Sequence, residues 1–294
     1  MKMHLVLPIF GVVAALSLTG CVSNTEGSQV EQMDTASISV NKEAAALVPA
    51  DIAESGELQI GTHTPFPPNE FRDADGEYVG WSVDLTNAIA ARLGLEPQWQ
   101  ESAFETIIPS IQGGKMDLGS ASFTDNATRQ EVVDFVNYYE AGVLWVAPVG
   151  AEVDPNNACG HTVAVKQGSF QHTDELPAKS EACVAAGNPA IEVLPFDDQA
   201  QTTNSVLLGK SEAFSADSPV ALDAILMNKD KIAPSGEAFD VSPYGFVVEK
   251  GSPLGAAVQL ALQSLIDDGT YLKILTDAGV EAGAVTEATM NAGH

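Results

Sequence analysis

At 294 residues the chain is long enough for two domains of ordinary size. With 45% hydrophobic and 18% charged residues it has the composition of a folded core, which excludes a disordered chain. Asp and Glu outnumber Lys and Arg 40 to 13, a formal charge of −27; such a surface repels nucleic acid and anionic lipid headgroups and excludes both as the main partner.

Residues 1–20 read as a targeting segment. Lys2 and His4 precede an apolar run from Leu5 to Leu18, closed by Leu18, Thr19, Gly20 and Cys21. The run is short for a retained bilayer-spanning helix, which favours a removable signal. Its ending is similar to the bacterial lipoprotein signal. That resemblance implies that Cys21 is lipidated as the mature N-terminus and that acyl chains hold the protein at the outer face of the cell membrane. Cys159 and Cys183 then remain. In an exported, oxidising setting they are most simply a disulfide, with two separately buried thiols as the alternative. Closing that loop stabilises by roughly 3.5 kcal/mol on the chain-entropy account.

Residues 21–50 are rich in Ser, Thr, Glu, Gln and Asn without periodicity, and read as a flexible tether. Order is expected from Asp51, with a strand at Glu57 to Thr62, a loop carrying Pro65, Pro67 and Pro68, a turn at Asp73 to Gly76 and a short strand at Tyr78. Ser82 caps a helix running to Leu93, with Gly94 just past its end. Leu95 to Trp99 is the next strand, Phe104 to Gln112 a second helix stopped by Gly113 and Gly114, and Met116 to Ser120 a third strand. Strands alternating with helices predict a parallel α/β sheet.

A strand at Val143 to Val149 leads into the turn cluster at Asp154, where a second lobe begins. It repeats the pattern: strand Thr162 to Val165, helical residues to Ala186, strand Ile191 to Leu194, helix Gln199 to Leu208, strand Glu212 to Ser215 and helix Pro219 to Met227. A strand from Val241 to Val248 follows. Ser252 and Pro253 open a helix to Ile266, Asp268 and Gly269 break it, and Thr270 to Ala278 is the last helix. Residues after Gly283 read as a loose tail.

The stretch from Asp117 to Phe135 holds a single cation, Arg129, among acids and hydroxyls. Ser120, Ser122 and Thr124 close a strand, and Asp125, Asn126, Thr128 and Arg129 open a helix. Donors thus gather at the carboxyl end of a strand, where open α/β sheets bind ligands. Arg129 there suits a small carboxylate held in fork geometry; the alternative is a pair with Glu131 or Asp134 on a solvated helix face.

The ordered set of LQIGT, DADGEYVGWSVDL, FETIIPSIQGGKMDL, the Ser/Thr stretch with Arg129 and VVDF, VAVKQGS, LLGKSEAFSADSPV and PYGFVVEKGSPL resembles the family 3 extracellular solute-binding proteins, the polar amino-acid receptors of ABC importers. The likeness runs from about Glu57 to Ala278. It implies an α/β fold of the two-lobed periplasmic-binding-protein type II kind, each lobe a mainly parallel sheet flanked by helices, joined by a two-strand hinge. Lobe 1 would take residues 51–147 and 243–283, lobe 2 residues 148–242, with 284–294 as tail.

Carried over by residue, Arg129 resembles the arginine that clasps a ligand α-carboxylate, with Ser122, Thr124, Gly168 and Ser169 as neighbouring donors. Asp217 resembles the acid that pairs with the α-ammonium; a zwitterion leaving water needs both charges matched. Phe66 and Phe104 match aromatic positions that sandwich the ligand's stem. His63 stands where relatives with cationic ligands carry an acid, which weakens a lysine or arginine reading. Glu70 is either a nearby acid for the ligand or a surface loop carboxylate. Phe170 follows Ser169 where a hydroxyl residue is common, so its backbone N–H serves the carboxylate and its ring lines the pocket.

Other chemistry finds little support. Gly113, Gly114 and Lys115 lack the upstream glycine of a phosphate loop, there is no G-x-S-x-G or H-E-x-x-H, and neither CxxC nor clustered His suggests a metal. His161 and His172 read as surface or packing residues. The expectation is a monomeric, non-enzymatic, cofactor-free receptor that takes a polar α-amino acid, a cationic one included, between its lobes and delivers it to an importer permease. The alternative is a dehydratase-like enzyme on the same fold acting on a prephenate-like acid, with His63 or Glu70 as its acid or base.

Overall fold

The computed structural model describes Met1 and residues 33–151 and 153–294; the signal segment, Cys21 and the start of the tether lie outside the described residues. After a short 3-10 turn come α1 (Lys42–Ala45), α2 (Ala50–Ser55), β1 (Glu57–Thr62), β2 (Phe71–Arg72), β3 (Tyr78–Val79), α3 (Trp81–Leu93), β4 (Glu96–Glu101), α4 (Phe104–Gln112), β5 (Leu118–Thr124), α5 (Ala127–Gln130) and the 16-residue β6 (Val133–Pro148). The second lobe adds β7 (Thr162–Lys166), a π-helical turn (Gln171–Glu175), α6 (Leu176–Ala185), β8 (Glu192–Phe196), α7 (Gln199–Leu207), β9 (Ala213–Asp217), α8 (Ser218–Met227) and β10 (Ile232–Pro234). The chain returns through β11 (Phe239–Glu249) to α9 (Pro253–Asp267), α10 (Thr270–Asp277) and β12 (Thr289–Met290).

In the first lobe β1 lies parallel to β4 over its full length and parallel to β5. Antiparallel β11 and β6 follow. In the second lobe β9, β7 and β8 are mutually parallel, with β9 antiparallel to β6. Strand β6 is shared, and its partner changes at one residue: Val143 pairs with Phe239 of β11 on one side and Asp217 of β9 on the other. Each lobe has its own apolar core, one around Leu58, Ile60, Leu85, Ile89, Phe246 and Leu262, the other around Trp145, Val163, Val165 and Leu176. A third cluster, Phe104, Ile107, Phe123, Phe135 and Val247, packs α4 onto the first sheet.

The two cysteines are joined, Cys159 to Cys183 with Cα atoms 5.5 Å apart, within ordinary disulfide geometry. The bond ties the loop before β7 to α6.

The structure corrects the sequence reading at several places. Order begins by Met33, not at Asp51. The Asn41 side chain accepts the Glu43 and Ala44 N–H groups and starts α1, while Ala44, Val48 and Ile52 enter the first-lobe core. The residues after Gly283 are docked. Thr289 and Met290 pair with Asn137 and Val136, the Gly293 N–H donates to Asp125 Oδ2 at 3.0 Å, and the Ala292 N–H donates to Asn137 Oδ1 at 3.0 Å. A Cβ on Gly293 would stand 2.0 Å from the Asp125 carbonyl oxygen, so the close approach requires glycine.

Helix α3 starts at Trp81, and Ser82 is not its cap. The loop before it supplies the acceptor instead, the Ser82 N–H donating to the Asn69 carbonyl at 3.1 Å. Gly80 sits at φ +119°, and a Cβ there would lie 2.2 Å from that carbonyl oxygen. Strand β5 runs on to Thr124, because its hydroxyl residues are buried and Thr124 pairs with Tyr244.

Among the described residues no helix is long and apolar enough to cross a membrane, and no His, Cys, Asp or Glu cluster is arranged to hold a metal ion.

Candidate functional site

The carboxyl ends of β5, β7 and β9 and the loop after β1 converge between the lobes. Asn126 caps α5 by accepting the Arg129 N–H at 2.9 Å, and this short helix turns the guanidinium back over the end of β5. Arg129 Nη1 donates to the Thr124 carbonyl at 2.7 Å, and Nη2 donates across the cleft to the Gly168 carbonyl at 3.0 Å. The guanidinium carbon stands 5.7 Å from the centres of both the Phe104 and Phe123 rings, which are stacked 4.4 Å apart. Arg129 therefore faces the cleft, and Asp134 is engaged elsewhere, with Gly251 and Asn291. Burial lowers the Arg129 pKa, opposed by the negative charges of Asp174, Asp217 and Asp125.

Asp217 ends β9 and occupies the cap position of α8 without a side-chain cap bond, which frees its carboxylate for the cleft. It is buried and accepts Gln171 Nε2 at 2.7 Å. Burial raises its pKa, while Gln171, Tyr244, Lys166 and Arg129 oppose the rise. Opposite charges from the two lobes thus act on each other within one interlobe space.

Glu70 is fully buried and is not a surface loop carboxylate. Its Oε2 accepts the Ser122 hydroxyl at 2.9 Å, and Ser122 in turn accepts Asn69 Nδ2 at 2.9 Å. Asn69 is oriented by Trp81, whose Nε1 donates to it at 2.8 Å. Ser122 has φ +51°, a left-handed conformation uncommon for a non-glycine residue and concentrated at functional sites. Burial pushes the Glu70 carboxyl up to about 8, against the pull of Lys166. Oε1 of Glu70 is buried without a hydrogen-bond partner.

Lys166, the last residue of β7, escaped the sequence reading, although a lysine ending the apolar run of Val163, Ala164 and Val165 was its signal. Its ammonium lies 4.3 Å from the centre of the Phe66 ring and 4.0 Å from that of Phe104, and burial lowers its pKa to about 8. Gln171 and Tyr244, both beside Asp217, were also missed; a buried glutamine inside a helix carries no pattern a linear scan can find.

The other expected residues divide. His63 bridges the lobes: Nδ1 lies 2.9 Å from the Ser102 carbonyl and Nε2 3.1 Å from the Asp197 carbonyl. Its ring meets Phe104 edge-on with centres 6.5 Å apart. Ser169 turns its hydroxyl to the Lys166 carbonyl at 2.8 Å, holding the turn whose Gly168, at φ +74°, approaches Phe104 and Glu105. The Phe170 ring packs against the second-lobe core rather than lining the cleft, since the π-helical turn directs it inward. His161 lies beside Glu212, with Nδ1 3.2 Å from its carboxylate, and His172 accepts the Gly168 N–H.

Comparison with known proteins agrees with the two-lobed α/β fold. Residues 58–278 match the model of the bacterial extracellular solute-binding proteins, family 3. The arginine-binding protein ArgT of Corynebacterium glutamicum is 37% identical over 96% of this chain and 93% of its own length. Among solved structures, an ancestral arginine-binding protein bound to arginine is 32% identical with a TM-score of 0.70, covering 76% of this chain and 98% of that one. An ancestral amino acid-binding protein described as a precursor of cyclohexadienyl dehydratase is 28% identical with a TM-score of 0.67, covering 77% of this chain and 97% of that one. With the family model spanning most of the chain and the two-lobed cleft in place, the chain belongs to the bacterial extracellular solute-binding proteins, family 3.

Proposed function

We propose that this protein is the extracytoplasmic receptor of an ABC importer, lipid-anchored through Cys21, that closes on one α-amino acid and presents it to the permease. The observation that carries the reading is that half-buried Arg129 of the first lobe reaches across the cleft to the Gly168 carbonyl while buried Asp217 of the second lobe stands close enough for the two charges to act on each other. The α-carboxylate would take the guanidinium N–H groups left after Thr124 and Gly168, and the α-ammonium would take Asp217. Ser122, Thr124 and Ser169 shape the rim, and Phe66 and Phe104 cover the stem. A ligand that bridges the lobes favours the closed form by the contacts it makes only there. The hinge lies on β6 and β11 about Val143 and Phe239, where β6 changes partner, so the first lobe takes the chain up to that point and from β11 onward.

Titration calorimetry with the twenty amino acids plus ornithine and citrulline tests this. One or more binds, and Arg129→Ala weakens that binder by about a hundredfold or more, in line with losing a charge-assisted pair worth roughly 3 kcal/mol. The absence of any binder at millimolar concentration, or a binder indifferent to the substitution, refutes it. The enzymatic alternative draws on the dehydratase-precursor likeness. Both ring nitrogens of His63 face main-chain carbonyls, which leaves Glu70 as its acid or base. Release of phenylpyruvate from prephenate would decide in its favour.

A further inference from the structure

The slot between Phe66 and Phe104 already contains a positive charge. Both rings belong to the first lobe, and Lys166 reaches them from the end of β7 in the second, its residue 3% exposed and its ammonium against both ring faces. A lysine free to choose extends its charge into water; this one is held inside by cation–π contact and by the neighbouring Glu70 and Asp217 carboxyls. Beside it, Glu70 presents a buried carboxyl oxygen that lacks a hydrogen-bond partner, an arrangement that is costly until a donor arrives.

We infer that Lys166 sets the side-chain selectivity of the cleft: it excludes a cationic side chain and selects a neutral carboxamide or ureido group, which accepts from the Lys166 ammonium and donates to Glu70. The inference rests on the amino-acid receptor reading, in which Arg129 and Asp217 are consumed by the ligand's two α-groups. What remains for the side chain is one cation and one carboxyl. A guanidinium or ammonium entering this slot adds a second buried positive charge beside Lys166, and the single acid there cannot neutralise both. A carboxylate side chain brings a second carboxyl against Glu70, and the two cannot both ionise there. A neutral group with an acceptor and a donor satisfies both residues without adding charge.

The test uses ligand pairs of like shape and different charge: citrulline against arginine, and glutamine against glutamate, titrated calorimetrically at pH 7. The wild type is expected to bind citrulline or glutamine at least tenfold more tightly than its charged counterpart. Lys166→Met should raise arginine affinity at least tenfold and weaken the neutral ligand, with Lys166→Gln intermediate and thermal melting confirming that each variant folds. Tighter binding of arginine than of citrulline by the wild type overturns the inference, as does a ratio unchanged in a folded Lys166→Met. If neither variant folds, the wild-type ratios alone decide. Binding of no amino acid at all overturns the receptor reading as well, a result distinct from a preference for arginine, which overturns selectivity by Lys166 only.

Discussion

Glu70 shows how far the meaning of one side chain depends on what covers it. In sequence it sits in a loop of prolines and polar residues; in the fold that loop is pinned down by Gly80 against Asn69 and by Trp81, and Glu70 is sealed beneath it. Its folded pKa of about 8 lies above the ordinary 4.5. A carboxyl that holds its proton more tightly when folded contributes stability that is complete below the ordinary value and is lost as pH rises toward 8. The melting temperature of wild type, relative to Glu70→Gln measured in parallel, is therefore expected to fall steadily between pH 4.5 and 8; a flat difference would show that burial does not govern this carboxyl. Arg129 stood out as a lone cation at a strand end and Asp217 by likeness to the family, and the structure brings both to the space between the lobes. Lys166 is not legible in this way, since a lysine at a strand end is ordinarily solvated and it is the Phe66 and Phe104 faces from the other lobe, with Glu70 and Asp217 beside them, that draw it inward.

Regular elements were readable where local chemistry sufficed. The bounds of β1 and α4 coincide with expectation, and Gly94, in the left-handed conformation, ends α3 as its type suggests. Residues 33–50 and 284–294 were misjudged for a shared reason. Each is too polar or too small-residue rich to show periodicity, and each is ordered by groups far away in sequence. Removing residues 284–294 would strip hydrogen bonds from Asp125, Phe135 and Asn137 and unpair the β6 backbone opposite β12. At about 1 kcal/mol per hydrogen bond the truncated protein should be less stable by roughly 2–4 kcal/mol in urea unfolding, with amide exchange faster along β6. Equal stability would mean that the docked segment adds nothing. The disulfide acts within the second lobe alone. Cys159→Ser with Cys183→Ser is expected to lower stability by up to roughly 3.5 kcal/mol on the chain-entropy account, read in the same unfolding assay, while an unchanged midpoint would place the loop's constraint elsewhere.

For the whole molecule, the important feature is that one strand serves two lobes. Because β6 passes from β11 to β9 at Val143, the lobes are joined by a paired ribbon rather than a loose linker, and the groups that meet across the cleft come from opposite sides of it. Direct bridges include Arg129 to Gly168 and the His63 contact with Asp197. Small-angle scattering should show a smaller radius of gyration on adding a bound amino acid to wild type and no such change for Arg129→Ala; contraction in the variant would mean that closure is driven by other contacts.

The amino-acid sequence by itself determined the α/β alternation and the two-lobed family, and made a Cys159–Cys183 disulfide the simplest pairing, because periodicity, caps and ordered motifs are local in the chain. Only the tertiary structure decided that Glu70 is buried, that Lys166 stands between the aromatic rings, that Phe170 packs against a core, and that residues 33–50 and 284–294 are docked. Each of these depends on which distant surfaces close over a residue, and the free energy of a charge or a backbone group is set by that enclosure rather than by its neighbours in sequence.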